Sequence, residues 1–181
     1  AKPGDLLYLT KPIGVGILAT AEKRGVLREE DVGRAAASMV RLNAAGAAFA
    51  ELDCVRAMTD VTGFGLLGHL LEMCRASGVR AEIEFAAVPK LSDLGSYLAH
   101  GVVPGGTHRN WASYGEDVDC EDEMRRLTLS DPQTSGGLLV AVDASERNRF
   151  EEVFAGLGLA VDAAPIGTIA SGGGGSLVQV V

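Results

Sequence analysis

A single carboxylate, Asp60, opens the most informative segment of the sequence. It follows a short apolar strand, Val55 to Met58, and precedes a turn that contains Gly63 and Gly65. A carboxylate suits a hard cation such as Mg²⁺, which binds one or two carboxylates together with substrate phosphates. The free N–H groups at the start of the next helix suit a phosphate. Asp60 is therefore predicted to bind the metal of a Mg²⁺–nucleotide complex, with helix capping as the alternative role.

Two further polar segments rich in glycine are candidates for the same site. Residues 131–137 are predicted to form a loop that either is a simple turn or cradles an anion. Residues 104–110 predict a loop in which Arg109 either contacts phosphate or lies on a solvated surface. Lys11 follows a buried strand and is placed to reach a phosphate, but a surface lysine at a strand end is the favoured interpretation.

The histidines and cysteines form no catalytic set that the sequence identifies. His69 is predicted to be a packing or capping residue of the helix that begins at Gly65. The three cysteines are widely spaced and form no Cys-x-x-Cys motif, so reduced thiols are expected rather than disulfides or a zinc site. Cys74 is predicted to lie in the core, and the acidic neighbours of Cys120 should raise the pKa of its thiol.

The composition is that of one ordinary globular domain. The 181 residues are 47% hydrophobic and carry a net charge of −8, with no basic stripe, so nucleic-acid binding is not expected. No apolar run approaches the ~20 residues of a membrane span, and no signal peptide is recognisable, so a cytoplasmic location without a membrane partner is expected. The chain begins at Ala1 without Met, which predicts either a domain cut from a longer protein or a processed N-terminus.

The periodicity of apolar residues predicts strands and helices that alternate along the chain. The last two strands are expected to pair as a hairpin around residues 172–175. Together the elements predict one α/β sandwich around a mixed sheet. The predicted strands are 5–10, 54–59, 79–85, 138–142, 161–169 and 177–181, and the predicted helices are 14–23, 29–52, 65–77, 92–100, 121–129 and 143–155.

Four motifs in a fixed order carry a resemblance to a known family. They are Leu-Thr-Lys-Pro-Ile-Gly at 9–14, Met-Thr-Asp-Val-Thr-Gly-Phe-Gly-Leu-Leu-Gly-His at 58–69, Pro-Gly-Gly-Thr-His-Arg-Asn at 104–110 and Asp-Pro-Gln-Thr-Ser-Gly-Gly-Leu-Leu at 131–139. Each motif alone is weakly specific, but the set resembles the bacterial selenophosphate synthetase (selenide, water dikinase) family. The resemblance runs from about Lys2 to Val181 and covers the C-terminal half of that family.

The resemblance implies a fold and a domain organisation. The family belongs to the aminoimidazole-ribonucleotide-synthetase-like superfamily, whose C-terminal domain is a three-layer α/β/α sandwich with partial ferredoxin-like topology. Residues 1–181 would then be the C-terminal domain of a two-domain ATP-dependent synthetase. The N-terminal domain, which carries a catalytic Cys or selenocysteine and a Lys on a mobile loop, is absent from this chain.

The resemblance also implies an activity. The family makes selenophosphate from selenide, ATP and water, releases AMP and phosphate, and needs Mg²⁺ and usually K⁺. Asp60 matches the family's C-terminal metal ligand. The chain alone is expected to be inactive and monomeric, since the family's homodimer forms largely through the N-terminal domains. No role is carried over for the other residues that match family motifs: Lys11, Thr107, Arg109, Asn110 and Thr134.

Two alternatives remain open at this stage. One is a related phosphotransferase or synthetase domain of the thiamine-phosphate kinase or hydrogenase-maturation type. The other is a non-catalytic module that binds a nucleotide or a protein. Under the favoured interpretation, the face around Asp60 and the segments 104–110 and 131–137 should be exposed and mobile, because the N-terminal domain that would cover them is absent.

Overall fold

A mixed sheet of seven strands forms the centre of the computed structural model, which describes residues 1–181. In chain order the strands are β1 (Leu6–Leu9), β2 (Val55–Asp60), β3 (Arg80–Ile83), β4 (Val118–Asp119), β5 (Leu138–Val142), β6 (Gly167–Ala170) and β7 (Val178–Val180). Across the sheet the order is β2-β5-β1-β6-β3-β7-β4. The pairs β3–β7 and β7–β4 are parallel, and the other four pairs are antiparallel.

Eight α-helices connect or flank these strands. They are α1 (Val15–Lys23), α2 (Arg34–Val40), α3 (Ala45–Ala50), α4 (Gly65–Ser77), α5 (Leu94–Ala99), α6 (Gly105–Tyr114), α7 (Glu123–Leu129) and α8 (Arg147–Gly156). None of the helices is long and apolar enough to cross a membrane.

Helices pack on both faces of the sheet because successive side chains of a strand point to opposite faces. In β1, Leu7 and Leu9 belong to a cluster of 24 buried residues that includes Leu70 of α4. Tyr8 points the other way, into a cluster of nine buried residues, where its ring centroid lies 4.8 Å from that of Phe150 in α8. The prediction of a three-layer α/β/α sandwich around a mixed sheet is confirmed.

The strand pair β2–β5 positions Asp60. All five residues of β5 are buried, which fits its uninterrupted apolar sequence, since such runs are typical of strands covered on both faces. Strand β2 is the edge of the sheet and pairs with β5 alone. In this register Asp60 lies opposite Leu138, at the end of both strands where the 131–137 loop enters the sheet.

The single helix predicted for residues 29–52 is wrong, because the chain breaks twice within that range. Gly33 has a φ of +79° immediately before α2, and Arg41 is extended immediately after it. Val40 and Leu42 are 76% and 86% exposed, so the apolar spacing does not mark a buried face. The many alanines of this range favour helix, so the sequence pattern does not indicate the two positions at which the helix is interrupted.

The predicted hairpin between the last two strands is also wrong. Strands β6 and β7 do not pair with each other, because β3 lies between them. It is antiparallel to β6 and parallel to β7. The glycine-rich segment 172–175 therefore crosses the end of β3 instead of forming a tight turn. The two-residue strand β4, which pairs with β7, was not predicted from the sequence.

The loop predicted at 104–110 is instead the first part of α6. Pro104 is extended and precedes the helix, a position that its fixed φ and missing N–H tolerate well. The buried positions of α6 are Thr107, Asn110 and Tyr114, which recur at helical spacing. Two of these three side chains are polar, so the segment lacks the apolar periodicity by which a helix is predicted.

The three cysteines are free and buried. Cys74 is fully buried in the largest core cluster, as predicted. Burial raises the pKa of the Cys74 thiol to about 11. The pKa of Cys120 is also raised, as predicted, but burial is the main cause and the acidic neighbour Asp122 contributes least.

Candidate functional site

The 131–137 loop, which belongs to the fourth motif, contacts the segments that carry the other three motifs. The backbone N–H of Val61 donates to the carbonyl of Gly137 at 2.8 Å, and the N–H of Gln133 donates to the carbonyl of Thr62 at 3.0 Å. A Cβ atom at Gly136 would overlap the carbonyl oxygen of Val61. The glycine is therefore required by the close approach of two backbones, which holds the turn after Asp60 against the loop.

The same loop caps the N-terminus of α1. The side-chain oxygen of Gln133 accepts from the N–H groups of Gly14 and Val15, at 3.1 and 3.2 Å. Asp131 Oδ2 accepts from the N–H of Gly16 at 3.0 Å and from the Gln133 side-chain amide at 2.9 Å. Helix α1 has no local side-chain cap, so its free N–H groups are satisfied by residues more than 100 positions away.

Asp131 is a buried carboxylate without a cationic partner. It is 0% exposed, forms no ion pair, and its Oδ1 atom has no hydrogen-bond partner. Burial raises the pKa of Asp131 to about 7, although the hydrogen bonds from Gln133 and from the start of α1 lower it in part. Near neutral pH this carboxyl group is therefore present in both charged and protonated forms.

Lys11 lies inside the protein, so its favoured interpretation as a surface lysine is wrong. The residue is 4% exposed, and its ammonium donates to the carbonyls of Arg41 and Ser135 at 2.6 and 2.7 Å. Burial, followed by repulsion from Arg41, lowers the pKa of Lys11. The side-chain amide of Asn43 donates to the next carbonyl of the loop, Gly136, at 2.9 Å. The ammonium group thus holds the tip of the 131–137 loop.

Helix α6 holds the turn after Asp60 from another side. The side-chain amide of Asn110 donates to the carbonyls of Gly63 and Ser130, at 2.8 and 3.0 Å. The hydroxyl of Tyr114 donates to the carbonyl of Phe64 at 2.8 Å, and burial raises the pKa of this hydroxyl to about 12. The polar residues of α6 therefore satisfy backbone carbonyls that would otherwise lose water on folding.

Asp60 itself is exposed and unpaired. It is the last residue of β2 and its side chain takes part in no hydrogen bond or ion pair, whereas the next residue, Val61, is 0% exposed. Thr62, two residues after Asp60, is half-buried. The Thr62 hydroxyl lies 3.1 Å from Nε2 of His69, whose Nδ1 lies 2.9 Å from Glu72. The predicted packing role of His69 is therefore confirmed.

No three or more His, Cys, Asp or Glu side chains are grouped to hold a metal ion. Asp60 offers a single carboxylate, which fits Mg²⁺ only where phosphates, water or another domain complete the coordination. The exposed, unpaired state of Asp60 is consistent with such a shared ligand. A structural metal, which requires a closed set of protein ligands, does not fit this chain.

The structure places the other predicted site residues in three different environments. Lys11 and Asn110 are buried beside the 131–137 loop, and Thr107 is buried in α6. Thr134 is exposed at the tip of the loop, and Arg109 is exposed on α6.

The predicted exposure holds for Asp60 and Thr134 but is wrong for the buried members of both segments, Asp131, Gln133, Thr107 and Asn110. Sequence reasoning missed the capping roles of Asp131 and Gln133, whose only signal was polar residues in a glycine-rich loop.

Curated proteins share sequence with nearly the whole of this chain. The chain is 51% identical over 181 residues to the selenide, water dikinase of Aeromonas hydrophila, covering 100% of this chain and 52% of that protein. It is 56% identical over 169 residues to the selenide, water dikinase of Pseudomonas aeruginosa, covering 93% of this chain and 48% of that protein. The chain therefore spans about half the length of the curated relatives that it matches.

Solved structures share the fold at lower sequence identity. Thiamine-monophosphate kinase from Stenotrophomonas maltophilia superimposes with a TM-score of 0.68 at 20% identity, covering 99% of this chain and 51% of that one. HypE from E. coli superimposes with a TM-score of 0.65 at 20% identity, covering 99% of this chain and 47% of that one. At this identity the two likenesses establish the fold alone.

A family model described as AIR synthase related protein, C-terminal domain, matches residues 2–179. The match covers six of the seven strands completely, all but the last residue of β7, and all four motif segments. The chain belongs to the AIR synthase related protein, C-terminal domain family.

Proposed function

We propose that this chain is the C-terminal half of a selenide, water dikinase, which makes selenophosphate from selenide, ATP and water and releases AMP and phosphate. The relatives at 51% and 56% identity carry that name and extend to about twice the length of this chain. The missing half would supply the nucleophile and most of the nucleotide site. Residues 1–181 alone would then be inactive and, without the N-terminal domains that form the homodimer, monomeric.

The observation that carries this proposal is the free carboxylate of Asp60, which stands at the point where the motif segments meet. We assign Asp60 as this domain's ligand to a Mg²⁺ ion that the triphosphate of ATP and the N-terminal domain would also bind. When bound, Mg²⁺ neutralises phosphate charge during phosphoryl transfer, a reaction that depends mainly on positioning and charge stabilisation. A K⁺ ion also belongs to the proposed enzyme, and no residue here is assigned to it.

The chain's own contribution is the rigid placement of that carboxylate. The turn after Asp60 is held by Gly137 and Gln133 on one side and by Asn110 on the other. Closing the two domains over ATP would therefore bring Asp60 to the nucleotide without rearranging this domain. The position of the Asp60 carboxylate relative to the nucleotide must be accurate, since a misplacement of about 1 Å can lower a rate about 100-fold.

The test is the Asp60→Asn substitution in the full-length protein. We expect selenophosphate formation, followed by ³¹P NMR, to fall at least about 100-fold, because removing a group that stabilises transition-state charge has effects of this size. The free energy of unfolding should change by less than about 0.5 kcal/mol, as is usual for an exposed, unpaired side chain. Asp53→Asn is the matched control, since Asp53 is an exposed aspartate at the opposite end of β2.

Two outcomes would contradict the proposal. Normal turnover of Asp60→Asn would exclude Asp60 as an essential metal ligand. Phosphorylation of thiamine phosphate by the wild-type full-length protein, without selenophosphate formation, would assign the chain to a different phosphotransferase with the same fold.

A further inference from the structure

A basic cavity lies beside α2, apart from the turn that carries Asp60. Its volume is about 340 Å³, and three basic side chains, Arg34, Arg41 and Lys90, line it. No acidic residue lines it, although acidic residues outnumber Lys and Arg by 24 to 16 in the chain. A concentration of positive charge in an acidic protein favours an anionic ligand.

Two of these cations have unused hydrogen-bonding capacity. The guanidinium of Arg41 forms no ion pair and donates one hydrogen bond, to the carbonyl of Gly158 at 3.0 Å. The ammonium of Lys90 forms no ion pair, donates to the carbonyls of Phe85 and Val88 at 2.8 Å each and lies 4.1 Å from the centroid of the Phe85 ring, so one of its three donors has no oxygen acceptor. Only Arg34 has a carboxylate partner, Asp31 Oδ1 at 3.3 Å.

A serine in the same wall lacks a hydrogen-bond partner. Ser38 is 6% exposed, and its hydroxyl oxygen makes no hydrogen bond. It lies on α2 four residues after Arg34, so these two side chains share one face of the helix, and Arg41, which follows the helix directly, lines the same cavity. A buried hydroxyl without a partner costs free energy, and an oxyanion in the cavity would supply the acceptor that this one lacks.

The positive charge extends inward to Lys11. Its ammonium donates to the backbone carbonyl of Arg41 at 2.6 Å, and no carboxylate pairs with it. The pKa of Lys11 is lowered mainly by burial and, to a smaller extent, by repulsion from the positive charge of Arg41. An anion bound at Arg41 would relieve this repulsion.

We propose that this cavity binds a phosphate oxyanion, either free phosphate or the phosphate of a small monoester. The fork of Arg41 and the ammonium of Lys90 suit phosphate oxygens. Apolar residues complete the lining, among them Pro12 and Leu91, which leaves room for a small organic group attached to the phosphate. No residue of the Asp60 turn lines the cavity, so the inference does not depend on the proposed function.

The experiment is isothermal titration of the 181-residue chain with inorganic phosphate, AMP and adenosine at constant ionic strength. Arg41→Gln should weaken phosphate binding at least about tenfold, because charge-assisted hydrogen bonds are strong. Arg149→Gln is the charge-matched control, since Arg149 is exposed on α8 and should leave binding unchanged. Ser38→Ala should also weaken binding, while the melting temperature stays the same or rises because an unsatisfied hydroxyl has been removed.

The ligands and variants separate the outcomes. Equal binding of phosphate and AMP, with none of adenosine, identifies the free anion as sufficient. Tighter binding of AMP than of phosphate, again with none of adenosine, identifies a monoester. No saturable binding of either phosphate or AMP, adenosine binding as tight as that of AMP, or equal losses in Arg41→Gln and Arg149→Gln would overturn the proposal.

Discussion

The ring of His69 and the hydroxyl of Thr62 are in contact, with 3.1 Å between Nε2 and Oγ1. The ring is held from its other side by Glu72, one turn further along α4. With Nδ1–H donating to Glu72, Nε2 is left as the acceptor for the Thr62 hydroxyl. Because Thr62 is two residues from Asp60, this contact fixes the chain that carries the proposed metal ligand.

Removing the ring should destabilise the domain. His69→Ala should lower the free energy of unfolding by about 2–3 kcal/mol, since it empties a buried site and leaves the Thr62 hydroxyl without its partner. Urea denaturation measures the change. His100→Ala is the control, because His100 is exposed and its loss should cost no more than about 0.5 kcal/mol. Equal losses in the two variants would contradict a special role for His69.

Asn110 should matter far more to stability than its neighbour Arg109. Asn110→Ala leaves the carbonyls of Gly63 and Ser130 without their donor, which should cost about 1–3 kcal/mol. Arg109→Ala removes an exposed side chain and should change stability by no more than about 0.5 kcal/mol. Thermal melts of the two variants decide the question, and a smaller loss for Asn110→Ala would show that water replaces the amide.

Asp131 should make stability depend on pH. Burial raises its pKa to about 7 in the folded chain, against about 3.9 in the unfolded chain. Its contribution to stability is therefore fully present below about pH 4 and is lost as the pH rises to about 7, by about 1.4 kcal/mol for each pKa unit of difference. Asp131→Asn cannot ionise and should lack this loss.

Denaturant unfolding of wild type and Asp131→Asn between pH 4 and pH 7 tests this dependence. The variant should gain stability relative to wild type as the pH rises. Asp53→Asn, an exposed aspartate change, should follow the wild-type curve. A constant difference between Asp131→Asn and wild type across the range would show that Asp131 has the same pKa in both states.

Two glycine-to-alanine changes should have opposite signs. Gly136→Ala should cost more than about 2 kcal/mol, because a methyl group there overlaps the carbonyl of Val61 and displaces backbone. Gly156 lies in α8 with no atom near its missing Cβ, so Gly156→Ala should stabilise by roughly 0.5–1 kcal/mol through helix propensity. Melting temperatures measure both, and a neutral Gly136→Ala would mean that the two segments can separate.

The sequence predicts some elements closely because local signals and tertiary packing agree there. Helix α4 and strand β5 have their predicted bounds. The helix has an apolar face and ends at Gly78, which adopts the left-handed conformation (φ +67°), and the strand is a continuous apolar run. The segment at Gly33 fails for the opposite reason: the alanine-rich residues that follow favour helix, whereas the glycine itself breaks the helix with a φ of +79°.

The candidate site was predictable only in part. Asp60 stands out because a carboxylate ends a strand before a glycine turn. The roles of Gln133 and Lys11 depend instead on carbonyl and N–H groups more than 100 residues away. A polar side chain in a glycine-rich segment has the same sequence signature whether it faces solvent or caps a buried helix.

The position of β5 has a consequence for the order of folding. Strand β2 pairs with no strand except β5, and β1 pairs only with β5 and β6. During synthesis, both strands therefore leave the ribosome long before any partner exists for their backbone groups. Folding is slow when the chain between two strands is long, because its ends must be brought together before the strands can pair. The end of the sheet that carries Asp60 can assemble only after Leu138 has been made, and until then two apolar strands stay unpaired and open to aggregation.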